Sequence, residues 1–560
     1  MARCLSWLFF EICGVQMIKI KNPILPGFYP DPSICRAGNK FYLVNSSFNY
    51  FPGLPIFESE NLSEWVQIGN AIDRESQLDF SGAFITRGLF APTIRYNKGK
   101  FYIICTLVDK IGNFFISADN PAGPWSDPIV VEGAEGIDPS LFFDDDGTVW
   151  YIGTRPAPED PKWNGNWEIW VQRIDLETGN LYGKDTGIWR GALKKCIWPE
   201  GPHIYKIGGK YLLLHAEGGT SIQHAVCVAA CDTIEGEWVG NPCNPILTHR
   251  NMGKRANIVN VGHGDLVDTP DGKWWMVCLA SRPQGKDENR VSPLGRETFI
   301  VPVEFEDGWP LATPDTGKIV DEYNVDGSVS AGGDVSNSEI CALNGTVSEE
   351  SYSFKDNFSE NKIAFPWLSL RGRKADCYSL SARKGWLRLF ANGDALTDTG
   401  NTNFFGVRQQ VFDYELSIDV DCTPESNETA GIALIQSEKY QYRMELFFDN
   451  EARIRVIKVE KGESTILAEK SVKNTVGDSG FIRLKCVCKN QKLSFCFCIC
   501  TETISEEKAS FIQLVENCDS TILSTERAGG FVGNVLGLFV TGSNGNRYAD
   551  FTNFSIQEIK

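Results

Sequence analysis

The sequence predicts an all-β chain in two parts, a five-bladed β-propeller followed by a β-sandwich, and three observations carry that reading. A five-fold pattern of turn pair, short strand, glycine-containing hairpin and aromatic strand fills roughly the first 300 residues. A stretch poor in apolar residues, including Ser328-Val329-Ser330-Ala331-Gly332-Gly333, then interrupts the pattern. Beyond it, short alternating runs such as Trp386-Leu387-Arg388-Leu389 and Arg453-Ile454-Arg455-Val456-Ile457 have the period of half-buried strands.

The five copies open at Asp31-Pro32-Ser33-Ile34, Ala91-Pro92-Thr93-Ile94, Asp138-Pro139-Ser140-Leu141, Gly201-Pro202-His203-Ile204 and Gly264-Asp265-Leu266-Val267. Their aromatic strands are Lys40-Phe41-Tyr42-Leu43, Lys100-Phe101-Tyr102-Ile103, Thr148-Val149-Trp150-Tyr151, Lys210-Tyr211-Leu212-Leu213 and Lys273-Trp274-Trp275-Met276. Within a copy the second opening residue stands 9 or 10 positions before the second residue of the aromatic strand (Phe41, Phe101, Val149, Tyr211 or Trp274); between copies the spacing is 47 to 63, the length of a four-stranded blade with loops. The intervening Gly38-Asn39, Lys98-Gly99, Asp146-Gly147, Gly208-Gly209 and Asp271-Gly272 are hairpin turns. Asp144-Asp145-Asp146-Gly147 lacks the further spacing of a calcium loop and reads as one more such turn. The expected organisation is an N-terminal extension over 1–17, the propeller over 18–320, a linker over 321–350 and the sandwich over 351–560.

The net charge of −18 repels phosphate backbones and anionic surfaces, which argues against nucleic-acid and membrane partners. No run of apolar residues reaches the length of a membrane-spanning helix. Neutral ligands remain, and 15 Trp, 16 Tyr and 34 Phe supply faces for sugars as readily as core for β-strands. Eighteen cysteines include no C-x-x-C pair; Cys486, Cys488, Cys496, Cys498 and Cys500 alternate along strand-like runs as buried thiols do. A reducing, cytoplasmic setting is the simplest reading, although Leu5–Phe10 after Arg3 has the look of a short signal peptide broken by Glu11. Met17 is an alternative start. Self-association is left open.

In a propeller the first strand of each blade lines the axis, so equivalent positions of successive blades converge. Asp31 and Asp138 are equivalent, Glu200 lies one residue earlier in its copy, and His263 likewise precedes Gly264. Singly, an Asp before Pro is an ordinary turn residue. Together, three carboxylates at one axis repel one another and raise pKa values, as a site for general acid and base catalysis requires.

At these residues the chain resembles family 43 of the glycoside hydrolases, which comprises inverting β-xylosidases and α-L-arabinofuranosidases. The resemblance rests on Asn22-Pro23-Ile24-Leu25-Pro26-Gly27-Phe28-Tyr29-Pro30-Asp31-Pro32-Ser33, Gly136-Ile137-Asp138-Pro139-Ser140, Trp198-Pro199-Glu200-Gly201-Pro202, Gly262-His263-Gly264-Asp265-Leu266-Val267 and Leu294-Gly295-Arg296-Glu297-Thr298-Phe299. It implies a concanavalin-like sandwich of the β-xylosidase type after the propeller. It also implies Asp31 as general base, Glu200 as general acid, Asp138 as the group tuning the acid, and Arg296 as a ligand of sugar hydroxyls. His263 resembles an axial histidine that holds calcium or sodium through waters in some members; no cofactor is otherwise expected. Phe48 and Phe90 fall at the aromatic walls of the sugar site, the second where related xylosidases often carry Trp. Gly529-Gly530-Phe531-Val532-Gly533 resembles a sandwich loop that closes the pocket with Phe531.

The expectation is therefore an exo-acting inverting glycosidase releasing terminal β-D-xylose from xylooligosaccharides, with α-L-arabinofuranosidase or dual activity on arabinoxylan fragments as the alternative. A carbohydrate-binding protein without catalysis is the reading from another class, and the presence of all three carboxylates argues against it. The Asn-Asp-Pro and Glu-Cys signatures of fructan-cleaving propellers are not found.

Overall fold

The computed structural model describes residues 17–326 and 347–560, apart from 160, 287–288, 349–350, 423, 425–427, 473–479, 502–509 and 543–546. Its first part contains five four-stranded antiparallel sheets, each built from strands in chain order. They begin at Ser33–Ala37, Leu89–Asn97, Ile137–Phe143, Glu200–Ile207 and Val259–Asp268, the five strands anticipated from the repeat. These first strands neighbour one another in sequence, and the fifth returns to the first. Apolar side chains fill each gap between sheets. Val44, Ile56, Ile103 and Phe114 join the first two, and Ile34, Phe41 and Leu43 meet Val267, Trp275 and Ile300 where the fifth sheet meets the first.

The ring is also stitched at its seam. Met17–Lys21 pairs antiparallel with Glu322–Asp326, so the first residues of the expected linker are a strand of the propeller side. Asn22 anchors this seam through its amide, donating to the Ile300 and Val320 carbonyls and accepting from the Ile300 N–H at 2.9 Å. Most of the remaining expected linker lies outside the described residues, and Val347–Ser348 already belongs to the sandwich. The 1–16 segment, with its signal-like stretch, also lies outside them.

One buried network ties the blades together below the axis. The Asp265 carboxylate accepts hydrogen bonds from Ser33 Oγ (2.6 Å), from both terminal nitrogens of Arg95 (2.8 and 3.1 Å) and from Tyr205 OH. Arg95 in turn lies 2.9 Å from His203 Nδ1. Blades one, two, four and five thus share a single carboxylate, and against the burial that would raise its pKa, Arg95, His203 and Ser33 hold it far below the ordinary range.

The second part packs a sheet containing Tyr414–Asp421, Gly480–Lys489, Lys492–Thr501 and Tyr548–Glu558 against one containing Asn403–Arg408, Thr429–Ser437, Tyr440–Asp449, Glu451–Glu460 and Val535–Thr541. Leu416, Ile418, Leu484, Phe495 and Phe497 interdigitate with Ile432, Leu434, Met444, Val456 and Leu538. Cys486 and Cys488 point into this core. Cys496 and Cys498 pair with Lys485 and Arg483 and face the other side of the sheet, so the two cysteine runs have different environments. Among the described residues no helix is long and apolar enough to cross a membrane. The Asp144–Gly147 turn closes the hairpin between Ile137–Phe143 and Val149–Pro156, with Lys206 neutralising Asp144 and Asp145.

A separate apolar core joins the parts: Phe28, Phe48, Tyr50 and Ile85 pack on Leu368, Leu370, Phe404, Ile435, Val532 and Phe539. Tyr50–Phe51 also pairs with Ser369–Leu370 as a two-stranded sheet across the junction. Within it Glu438 is ion-paired to Arg371, both side chains almost fully buried, and accepts the Ile85 N–H at 2.8 Å.

Removing one member of a buried ion pair leaves the other uncompensated, at a cost of about 3–5 kcal/mol, whereas exposed pairs contribute less than about 1 kcal/mol. Asp265→Asn is therefore expected to lower the urea midpoint strongly, followed by tryptophan fluorescence, while Lys19→Ala, which breaks an exposed pair with Glu322, leaves it nearly unchanged. Equal midpoints for the two variants would show that the axial network does not hold the ring.

Candidate active site

The repeated turn pair does more than start a strand. Asp31, Ala91, Asp138 and Gly201, the first residues of four pairs, have φ of 52°, 26°, 54° and 54°, and His263 in the fifth copy has 49°. In the same places the ladder between first and second strands slips, at Phe90/Thr93, Ile137/Ser140, Glu200/His203 and Gly262/Asp265. Left-handed residues at a bulge turn the strand and re-aim its side chains. Gly201 needs its lack of a side chain, since a Cβ there would sit 2.9 Å from the His263 ring.

All eight residues singled out from the sequence line one cavity of about 80 Å³: Asp31, Asp138, Glu200, Phe48, Phe90, Arg296, His263 and Phe531. Ala91, Ile137, Thr220 and His224 complete it. A larger groove of about 670 Å³ crosses the outer sheet of the sandwich, but its Lys485 and Arg483 are neutralised by Glu415 and Asp419.

The three carboxylates have different surroundings and hence different ionisation. Burial would raise the Asp31 pKa, but Arg296 Nη1 at 2.9 Å, His263 Nδ1 at 4.0 Å and the Ser46 hydroxyl at 2.6 Å outweigh it and hold the group below the usual carboxylate range. Among the described residues Asp138 accepts only the Gly201 N–H, at 3.1 Å, and burial with repulsion from Asp31 pushes it up to about 6 despite the attraction of His263 and Arg296. Glu200 is raised well above its ordinary value, first by burial and then by the charges of Asp138 and Asp31. The site therefore pairs a carboxyl group that gives up its proton readily, Asp31, with one that burial and neighbouring charge make hold its proton more strongly, Glu200.

Aromatic rings form the opposite wall. Phe48 and Phe90 meet edge to face at 5.1 Å, and Phe531 stacks parallel to Phe48 at 6.3 Å. Phe28 backs Phe48 at 5.8 Å. The Arg296 guanidinium lies 5.5 Å from the Phe531 ring centre and donates to the Phe531 carbonyl at 3.3 Å and to Thr220 Oγ1 at 3.1 Å. The Phe531 N–H donates to Thr86 Oγ1 at 2.8 Å. The sandwich loop is thus fixed to the propeller from both sides of the residue that covers the cavity.

Ser46, Thr86, Thr220 and His224 escaped the sequence reading. Thr220 follows Gly218-Gly219 just after Lys210–Glu217, the strand beside Glu200, and His224 is one of only five histidines in the chain; those were the available signals. Ser46 and Thr86 lie in loops with no pattern to mark them.

Metal-ligand spacing occurs, among the described residues, in one group, His215, Glu217 and Cys227. There the His215 nitrogen nearest Glu217 already accepts the Trp189 N–H at 3.2 Å, and Glu217 accepts from Ala192 N–H and the Cys196 thiol, so the group reads as a buried polar cluster.

Comparison with known proteins agrees with this geometry. The model for "Glycosyl hydrolases family 43" matches residues 20–310, and that for the "Beta xylosidase C-terminal Concanavalin A-like domain" matches residues 355–557. A "Xylosidase/arabinosidase" of Butyrivibrio fibrisolvens is 42% identical over 97% of this chain and 100% of its own length. A "Non-reducing end alpha-L-arabinofuranosidase" of Bacteroides ovatus is 32% identical over 93% of this chain and 91% of its own. Among solved structures, the xylan beta-1,4-xylosidase of Bacillus halodurans C-125 superposes with a TM-score of 0.84 at 29% identity, covering 96% of this chain and 100% of that one. A closed ring of sheets with three axial carboxylates, a sandwich docked on it and full-length relatives of this kind lead to one assignment: the chain belongs to glycosyl hydrolase family 43.

Proposed function

We propose that the chain is an exo-acting, inverting glycosidase that removes single terminal pentoses, with β-D-xylose at the ends of xylooligosaccharides as its principal substrate. The observation that carries the reading is a pair of carboxyl groups, one with its pKa pushed below and one well above the ordinary range, lining one small cavity. Glu200 gives its proton to the glycosidic oxygen as the bond from that oxygen to the anomeric carbon breaks. Asp31 takes a proton from the water whose oxygen forms the new bond from the opposite face. Asp138 keeps the Glu200 proton in place by its negative charge. The fixed donors on Asp31 preserve its ionisation among like charges, and Arg296 and the phenylalanine wall orient the sugar. Phe531 blocks the space beyond one residue, which makes the action exo.

Arabinofuranosidase activity is the second reading, favoured by Phe90 at the position where related xylosidases often have Trp and by the names of the Butyrivibrio and Bacteroides relatives. Calcium near His263 fits poorly as a directly bound ion. Calcium takes about six to eight oxygen ligands, whereas His263 offers imidazole nitrogen and the Asp31 oxygens are engaged by Ser46 and Arg296. No step is assigned to it.

Aryl β-xyloside and aryl α-arabinofuranoside, assayed side by side, test the substrate. Proton NMR in the first minutes of β-xyloside cleavage is expected to reveal α-xylose; β-xylose first would make Asp31 a nucleophile and overturn inversion.

The two acid roles separate by leaving group. Glu200→Gln and Asp31→Asn each lower turnover of xylobiose by about 100- to 10,000-fold. Aryl substrates whose leaving group departs unprotonated rescue the Glu200 variant but not the Asp31 variant, and equal rescue of both would refute the assignment.

The pH profile of kcat/KM follows from the same shifts. Activity rises with pH as Asp31 loses its proton, below the usual carboxylate range, and falls as Glu200 loses its own, well above it. Asp138→Asn removes a negative neighbour, so Glu200 ionises more easily and the alkaline limb moves to lower pH. A limb unmoved by that substitution would mean that Asp138 does not tune the acid.

A further inference from the structure

We infer that His224 sets specificity by accepting, at Nε2, a hydrogen bond from one hydroxyl of the bound sugar. The inference rests on the glycosidase reading above and assigns a residue to it. His224 is 1% exposed and lines the cavity beside Glu200 and Thr220. Its ring is wedged against Gly262, where an added Cβ would come within 2.4 Å of three ring atoms. Nδ1 lies 3.0 Å from the Asn260 carbonyl oxygen, which can only accept, so Nδ1 carries the proton and donates it.

That bond fixes the tautomer. Burial lowers the His224 pKa to about 3 and keeps the ring neutral, leaving a lone pair on Nε2. Nε2 is buried and has no hydrogen-bond partner among the described residues; Glu200 Oε1 is 4.0 Å away, beyond a hydrogen bond. A buried acceptor left open is costly, and a site built around one rejects ligands that cannot fill it. The carboxylates and Arg296 are engaged with each other or with the chemistry. His224 is a neutral acceptor aimed at the acid side of the cavity, where a hydroxyl of the terminal sugar supplies the matching donor.

Two substitutions divide the ring's functions. His224→Asn keeps a donor near Nδ1 for the Asn260 carbonyl and deletes the Nε2 acceptor. His224→Gln carries an amide oxygen to the Nε2 position and gives up the Asn260 bond. With the aryl pentoside that wild type cleaves, Asn is expected to lower kcat/KM about 10-fold and Gln by less than about threefold. On one monodeoxy analogue of that substrate, wild type and the Asn variant converge, because the hydroxyl read by Nε2 is gone. The alkaline limb of the pH profile stays in place, which distinguishes hydroxyl recognition from a role in holding the Glu200 proton.

An Asn loss of equal size on the parent and every monodeoxy analogue, a larger loss for Gln than for Asn, or a displaced alkaline limb would each overturn the inference. Wild type is assayed first, so a chain that cleaves neither pentoside refutes the glycosidase reading separately from the role of His224.

Discussion

The whole arrangement depends on one buried carboxylate, Asp265. Five sheets around an axis have no covalent reason to keep a common centre, and apolar packing between them is tolerant of small slides. Charge-assisted hydrogen bonds are not. Asp265 binds Ser33, Arg95 and Tyr205 at once, so the first strands of four blades are fixed to a single point. Ser33 lies two residues after Asp31, His203 three after Glu200 and Asp265 itself two after His263. The network therefore anchors the strands that carry the axial carboxylates and His263.

Above that point the local backbone differentiates chemically similar groups. Asp31 and Asp138 share residue type, left-handed backbone and near-complete burial, yet one is held low and the other raised. The difference lies in the donors: a guanidinium and a hydroxyl for Asp31, a single backbone N–H for Asp138. Among the described residues Glu200 receives no comparable donor, and burial together with the negative charges of Asp138 and Asp31 raises its pKa well above the ordinary value.

The repeat made the ring and the convergence of Asp31, Asp138, Glu200 and His263 legible from sequence, because turn pairs and hairpins are local and recur at nearly constant spacing. Arg296, Phe48, Phe90 and Phe531 came from resemblance; no local pattern brings a loop near residue 531 to one near residue 86. The strand Glu322–Asp326 was hidden because its partner, Met17–Lys21, is some 300 residues away, and its own short run sits beside polar, glycine-rich sequence. The two cysteine runs look alike by periodicity, but the register of the Gly480–Lys489 and Lys492–Thr501 hairpin sends them to opposite faces. Ser46, Thr86 and His224 are each placed in or beside the cavity by a single hydrogen bond, which composition and spacing do not mark.

The sandwich is part of the site and not an appendage to it. Phe48, a wall of the cavity, is also a member of the core that joins the two parts, so its position is set by Val532, Phe404 and Ile435 as much as by the propeller. Arg296 spans the same boundary: one nitrogen holds the Asp31 carboxylate and the other donates to the Phe531 carbonyl. The guanidinium that helps hold the Asp31 pKa low is thus oriented by the Phe531 loop. One side chain ties the Asp31 carboxylate to the Phe531 loop, and the geometry of the cavity depends on both parts of the chain.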